Sequence, residues 1–332
     1  MTIDLSLPLD VSVPSGGYAW WYVDVIGDDS PYAATVIFFR GNPFSPFYLR
    51  ALAKGEALAD DFCAVNVVLY RGRRKLWTFT EFVREATHHG SDQLAIGENT
   101  FSLDGDGVTL RFSTRSPLIG AKLRGTVKLE PSALFDVTHG LDGAKKHAWF
   151  PMAPISRATV TLEEPKLSFS GEAYFDGNRG CEPLGAGFDR WHWMRGPAAD
   201  KKGSSIIYDA KDRGGNWTRF SRVFRPDGQS EVIALDNDQR LPRSRWLLER
   251  TTRVASDERA WLDRTLESAP FYARSVVSIR DGKDRERLAM HEVMDVSRFR
   301  RRLIQAAFYL RMLKQKSAGA RPRLGLWARL RS

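Results

Sequence analysis

Cysteine, long apolar runs and the short signatures of common enzymes are all scarce in this chain. Cys63 and Cys181 are the only cysteines in 332 residues, they match no CxxC spacing, and two in a chain of this length do not make a disulfide framework. A reducing compartment is the expectation. No segment approaches the roughly 18 uninterrupted apolar residues of a spanning helix. The opening MTIDLSLPLDVSVPSGG carries Asp4 and Asp10, without the basic start and apolar stretch of a secretory signal. GxSxG, P-loop and GxGxxG patterns are absent, which removes the main warrants for hydrolase, nucleotide-binding and dinucleotide-binding readings. His88 and His89 are adjacent, a poor ligand spacing, and HEVMD at 291–295 lacks the second histidine of HExxH, so no metal site is expected.

Acidic residues are missing locally. Residues 298–332 hold eleven Arg and Lys and no Asp or Glu, while the rest of the chain balances at 39 basic against 40 acidic residues. The formal charge of +10 is therefore a property of the tail, and the body lacks the basic field that would point to nucleic acid.

What is present is β rhythm. Short alternating or aromatic-rich runs such as YAWWYVDVIG, ATVIFFRG, CAVNVVLYRG, AKLRGTVKLE and TRFSRVFRPDG are each closed by turn residues, which predicts an all-β sandwich or barrel. In TFSLDGDGVTLRFS the Asp-Gly pairs between alternating runs predict a hairpin. Short helices are expected over Phe47–Ala59 and Glu81–Thr87, and a domain boundary near Pro165, giving β domains at 1–165 and 166–296. From Ser297 as N-cap, RFRRRLIQAAFYLRMLKQKS reads as a basic helix within 297–332, with Phe299, Leu303, Ala306, Leu310 and Leu313 on one face and Ile304, Phe308 and Met312 on the other.

Between His147 and Arg195, HAWFPMAP and SGEAYFDGNRGCEPLGAGFDRWHWMRG gather His147, Trp149, Tyr174, Asp176, Trp191, His192 and Trp193 among Gly and Pro. A lone carboxylate among aromatics suits carbocation chemistry. Around these motifs the chain resembles the carotenoid 1,2-hydratases, or hydroxyneurosporene synthases, of the lipocalin-like superfamily. The resemblance rests on GGYAWWYVD at 16–24, GNPFSPFYLRA at 41–51, CAVNVVLY at 63–70, HxWxPxAP at 147–154, SGxxYxDxNxGxEPL at 170–184, WxW at 191–193, LPRSRW at 241–246 and TLExxPFYARS at 265–275. Two features depart from the pattern: Met194 follows WxW where a small polar residue is expected, and GNPFSPF replaces a version richer in small residues.

The resemblance implies two consecutive lipocalin-like β-sandwich or barrel domains with a hydrophobic pocket. It also implies cofactor-free addition of water to the terminal C1–C2 double bond of an acyclic carotenoid such as neurosporene or lycopene. The residues it implicates are His147, Trp149, Tyr174 and Asp176. In such a reaction Asp176 would be the general acid, Trp149 and Tyr174 would stabilise the cation through their ring faces, and His147 would orient or deprotonate the water. Trp20, Tyr22, Trp191, Trp193, Phe271 and Tyr272 are candidate pocket walls. By residue type alone Asp176-Gly177-Asn178 is more often a hairpin turn, Trp20 and Tyr22 belong as readily to strand core, and Glu182 reads as a structural carboxylate.

Relatives in the wider superfamily cyclise polyenes, so a cyclase or pericyclase is the alternative enzyme and a lipid carrier the non-catalytic one. Hydration adds one water mass, cyclisation leaves mass unchanged, and a carrier returns its ligand intact. For the tail, the expectation is an anionic membrane surface met by Arg300, Arg301, Arg302, Phe308, Arg311 and Lys314, on a cytoplasmic protein peripheral to the inner face of the membrane. The alternative is a solvated charged helix. The sequence sets no oligomeric state.

Overall fold

The computed structural model describes residues 5–315 apart from Glu56 and Asp106. The chain divides into two compact units, the first formed by residues up to Gly140, Lys146–Leu184 and the segment from Gln305, the second by Leu141–Lys145 and Gly185–Ile304.

In the first unit the strands are β1 (Tyr18–Gly27), β2 (Tyr32–Arg40), β3 (Cys63–Arg71), β4 (Arg74–Phe82), β5 (Thr87–His89), β6 (Gln93–Ile96), β7 (Asn99–Asp104), β8 (Gly107–Arg115), β9 (Lys122–Pro131), β10 (His139–Gly140), β11 (His147–Glu164) and β12 (Leu167–Gly180). The second unit supplies β13 (Phe188–Pro197), β14 (Ser204–Asp212), β15 (Trp217–Phe224), β16 (Ser230–Val232), β17 (Asn237–Leu241), β18 (Arg250–Val254), β19 (Arg259–Ser268), β20 (Tyr272–Arg280) and β21 (Glu286–Asp295), and β22 (Leu313–Gln315) returns to the first.

The first sheet runs β22-β4-β3-β2-β1-β12-β11-β9-β8-β7-β6-β5, with β10 attached to β11. It curls as a half-barrel, far enough that Thr78 Oγ1 of β4 and Thr114 Oγ1 of β8 stand 2.9 Å apart. Alternate residues of its strands fill the interior, among them Trp21, Val23, Phe38, Val65, Phe101, Leu110, Val127 and Phe175, and Leu5, Leu7 and Leu9 of the N-terminal segment join them. Trp21 Nε1 donates to the Leu7 carbonyl at 3.0 Å, which ties that segment down. The predicted Asp-Gly hairpin is β7–β8: Asp104 pairs with Gly107, and Gly105 turns at φ 58°, a conformation glycine adopts without steric cost.

Three features differ from the sequence reading. Pro165 is the turn of the long β11–β12 hairpin, inside one sheet, and the units divide between Leu184 and Gly185. The helix expected over Phe47–Ala59 spans Pro46–Ala53, capped by Ser45 Oγ on Tyr48 N at 3.1 Å, and Glu81 ends β4 with only a 3₁₀ turn, Arg84–Ala86, after it. The basic helix is broken into Val296–Phe299, N-capped by Asp295 in place of Ser297, and Arg302–Tyr309, followed by β22 paired parallel to β4. Single residues of the two predicted apolar stripes pack on different elements, while Leu303, Ala306 and Leu310 are exposed. Phe299 packs on Phe271, and Phe308 on Trp77 and Phe79. Residues 316–332 lie outside the described residues.

The second sheet runs β16-β15-β14-β13-β21-β20-β19, with β17 and β18 paired separately. Its core of Met194, Ile207, Leu241, Val254, Val277, Ile279 and Ala289 is small and encloses one side of a cavity of about 460 Å³. No helix among the described residues is long and apolar enough to cross a membrane.

Candidate active site

β1 is buried on both faces. Alternation along a strand sends Ala19, Trp21, Val23 and Val25 into the half-barrel interior and leaves Tyr18, Trp20, Tyr22 and Asp24 on the opposite face. Its neighbour β12 likewise buries Ala173 and Phe175 in the interior, so Tyr174, Asp176 and Asn178 share the face with Tyr22 and Asp24. The Asp176-Gly177-Asn178 triplet is thus mid-strand and not a turn: Gly177 and Asn178 are paired on both sides, and Asp176 pairs with Tyr22 of β1 opposite an irregularity in β11 between Phe150 and Ala153. A Cβ at Gly177 would stand 2.6 Å from Leu7 Cδ2 and 3.0 Å from the Trp20 carbonyl oxygen, which accounts for a glycine there.

Asp176 is the convergence point. Its Oδ2 accepts from Trp149 Nε1 at 2.7 Å and from the Tyr174 hydroxyl at 2.6 Å, with Trp149 and Tyr174 fully buried and Asp176 nearly so. Both donors are neutral groups carried on rigid strands, and the Trp149 ring stands 5.6 Å from that of His139, its opposite number on β10. Short hydrogen bonds to a carboxyl oxygen are among the strong ones, and these two fix the orientation of the Asp176 side chain.

Asp24, which the motif reading passed over, forms the counterpart. Tyr22 hydroxyl donates to Asp24 Oδ2 at 2.8 Å, Asp24 is buried, and the Tyr22 and Tyr174 rings meet edge to face at 6.1 Å. Antiparallel pairing sets Tyr22 opposite Asp176 and Asp24 opposite Tyr174, so two Tyr-x-Asp units face each other with local two-fold symmetry. The two aspartates are diagonal neighbours, a relation that spans roughly 7–8 Å on an antiparallel pair. The signal was present in YVD of β1, one acid within a strand otherwise apolar or aromatic.

His147 lies farther along. It pairs with Gly180, four residues from Asp176 on β12, which is about 13 Å along a strand. Its Nδ1 is 2.9 Å from the Tyr18 hydroxyl, and its Nε2 is 3.5 Å from Glu182 Oε1, a carboxylate that also accepts from Lys146 Nζ at 2.6 Å. Tyr18 stacks on Trp20 at 4.9 Å, so an aromatic wall joins the two ends of the face. Gly180 makes room for it: a Cβ there would stand 2.5 Å from the Tyr18 ring and 2.6 Å from His147 Nδ1.

At the far edge of the same sheet, Glu81 of β4 is fully buried, 3.5 Å from Lys314 Nζ and 3.4 Å from Asn42 Nδ2. Burial pushes its carboxyl up to about 7 despite Lys314. Lys314 also lies over the rings of Phe47 and Phe62, so it and Phe308 turn inward, while Arg300, Arg301, Arg302 and Arg311 are exposed.

The other aromatic candidates belong to the second unit. Trp191 and Trp193 of β13 and Tyr272 of β20 share one face of that sheet, opposite to the face whose Met194, Ile279 and Ala289 line the cavity. Phe271 is seated on Phe299 at 4.9 Å. The unexpected Met194 has a local explanation: it lines the cavity and its sulfur accepts from Thr252 Oγ1 at 3.3 Å. His192 of the WxW motif and His291 are buried around the Thr251 carbonyl, and burial drives them down to about 3 and about 4, so both stay neutral. No cluster of His, Cys, Asp and Glu suited to a metal ion occurs among the described residues.

Comparison with known proteins gives the family and the fold. The profile of the family described as carotenoid hydratase CrtC matches residues 36–320. The chain is 35% identical to an acyclic carotenoid 1,2-hydratase of Thiocapsa roseopersicina over 91% of its own length and 74% of the relative's. It is 37% identical to one of Rubrivivax gelatinosus over 81% of the chain and 66% of the relative, and 31% identical to one of Cereibacter sphaeroides over 83% and 97%. Among solved structures, a Nitrosomonas europaea protein named AttH superposes with a TM-score of 0.59 at 14% identity, covering 84% of this chain and 92% of that one. CghA, crystallised with Sch210972, gives 0.54 at 14% identity over 89% and 96%. These two likenesses speak for the lipocalin-like fold.

Proposed function

As a member of the carotenoid hydratase family this chain is a hydro-lyase, and we propose that it adds water across the terminal C1–C2 double bond of an acyclic carotenoid by acid catalysis, without a cofactor. The observation that carries the reading is the convergence of Trp149 Nε1 and the Tyr174 hydroxyl on one oxygen of Asp176. In this mechanism protonated Asp176 gives its proton to C2, leaving a tertiary cation at C1. As the proton departs, the two donors take up the charge left on the carboxylate. General acid catalysis of this kind is worth about 10²–10⁴-fold. The ring quadrupoles of Trp149 and Tyr174 oppose the cation's charge, each worth on the order of 0.5–2 kcal/mol in a dry site.

Water then attacks C1 and loses a proton. Asp24 is the acceptor we assign, because it is diagonal to Asp176 whereas His147 is four residues away along β12. The reaction needs one acid and one base, and this assignment gives the first role to Asp176 and the second to Asp24. One proton leaves Asp176 and one arrives at Asp24, so transfer between the two residues resets the site with no net proton consumed. His147, between Tyr18 and Glu182, fixes the other end of the face.

The test is incubation of the protein with lycopene or neurosporene in heavy water, followed by mass analysis. The expected product is heavier by one water and bears one carbon-bound deuterium at C2, and Asp176→Asn abolishes it while leaving ligand binding and fold intact. Retained turnover in that variant would remove the acid assignment. A product of unchanged mass would move the reading to a cyclase.

A further inference from the structure

The second unit carries an exposed apolar hook that the hydration chemistry does not use. Between β17 and β18, Trp246 is 50% and Leu247 65% exposed, at the apex of the loop ArgSerArgTrpLeuLeu over 243–248. The apex is built, not slack. Ser244 is buried, its Oγ accepts from the backbone N–H of Trp246 at 3.2 Å and of Leu248 at 3.1 Å, and Leu247 N donates to the Ser244 carbonyl at 2.8 Å. From the helix Val296–Phe299, Arg298 reaches across to donate to the carbonyls of Trp246 at 2.7 Å and Leu247 at 3.2 Å. Leu247 sits at φ 59°, a left-handed conformation unfavourable for a leucine, and its side chain is left largely exposed.

In the sequence, basic residues flank the hook and the helix that holds it. Arg243 and Arg245 precede the apex, and Arg300, Arg301 and Arg302 follow the helix that holds it, ending at Leu303, which is 86% exposed. The nearby carboxylates are committed elsewhere: Glu249 pairs with Arg243 and Arg190, and Asp295 with Arg298. Arg245, Arg300, Arg301 and Arg302 make no ion pair among the described residues.

An exposed tip of tryptophan and leucine, with Arg245 next to it and Arg300, Arg301 and Arg302 following the helix whose Arg298 holds it, is complementary to a surface that accepts apolar side chains and presents negative charge. We propose that this hook docks the protein on an anionic phospholipid bilayer, with Trp246 and Leu247 entering the headgroup boundary and the arginines on lipid phosphates. The proposal stands apart from the hydration reading, since it needs no substrate.

The test is sedimentation of the full chain with vesicles of phosphatidylcholine alone or mixed equally with phosphatidylglycerol. Binding to the mixed vesicles that weakens with salt is expected. Trp246→Ser with Leu247→Ser should lower the partition coefficient about tenfold or more, and Arg245→Gln or Arg301→Gln about fivefold each. Leu118→Ser with Ile119→Ser, on the other exposed apolar tip, should leave it unchanged. Bromine-labelled lipid should quench wild-type tryptophan emission more than that of Trp246→Phe, a folded-state readout independent of the serine variants. Equal binding by the Trp246/Leu247 variant, equal loss in the Leu118/Ile119 control, or no difference in quenching would overturn the proposal.

Discussion

Buried carboxylates in the two units of this chain meet different donors. In the first, an indole N–H and phenol hydroxyls donate to Asp176 and Asp24. In the second, Asp209 takes two hydrogen bonds from the Arg253 guanidinium at 2.7 and 2.8 Å, and Glu258 lies 2.6 Å from Arg287. A buried guanidinium loses more when its carboxylate is removed than an indole N–H or a phenol hydroxyl does, because it is left with an unpaired charge.

Replacing one buried aspartate in each unit gives the largest contrast. Asp176→Asn is expected to lower turnover by about 10²–10⁴-fold with little change in melting, whereas Asp209→Ala should cost about 3–5 kcal/mol of stability by leaving Arg253 buried and unpaired. Parallel turnover assays and denaturant titrations separate the two. If Asp176→Asn instead unfolds the protein, the contrast fails. Next in size, Trp149→Phe keeps the ring and removes one donor from Asp176, and should cost about tenfold to a hundredfold in turnover. Gly180→Ala, which drives a methyl into Tyr18 and His147, should cost about 1–3 kcal/mol and displace both side chains, read by melting and by the histidine resonances.

The smallest effects are in pH dependence, and their signs differ between units. His192 and His291 have folded values below the free-histidine value of 6.5, so the unfolded chain binds protons first. Stability of the second unit is full above about pH 6.5 and drains as pH falls toward 4. Glu81 is raised from 4.5 to about 7, so its contribution is full below about pH 4.5 and is lost as pH rises through 7, on the order of 1–3 kcal/mol. Hydrogen exchange resolved by unit should show the opposite slopes, with Glu81→Gln flattening the first and His291→Gln the second.

These contrasts also explain what was legible in the sequence. Strand rhythm and the Asp-Gly hairpin depend on neighbouring residues, and both were readable. The motif HxW with YxD brought Trp149, Tyr174 and Asp176 forward, and they are hydrogen-bonded together in space. Asp24 escaped notice because β1 is buried on both faces, which erases the period-two signal that separates core from site. The boundary was misplaced because an 18-residue strand crossing a long sheet, β11, interrupts the spacing of shorter strands and its turn carries a proline. The tail was read as one helix because its two apolar stripes fit that period, whereas tertiary partners claim single residues of each, Phe299 and Phe308.

That return of the C-terminal segment has a consequence for synthesis. β22, at Leu313–Gln315, pairs with β4 and brings Lys314 over Glu81, yet some 230 residues separate the two strands in the chain. While the ribosome is still making the second unit, the first has an open strand edge and an acid whose ammonium partner does not yet exist. An open edge invites pairing with other chains. The nascent protein must therefore pass through a stage in which its earlier-made sheet waits for residues translated more than two hundred positions later, and chaperone demand should be greatest in that interval.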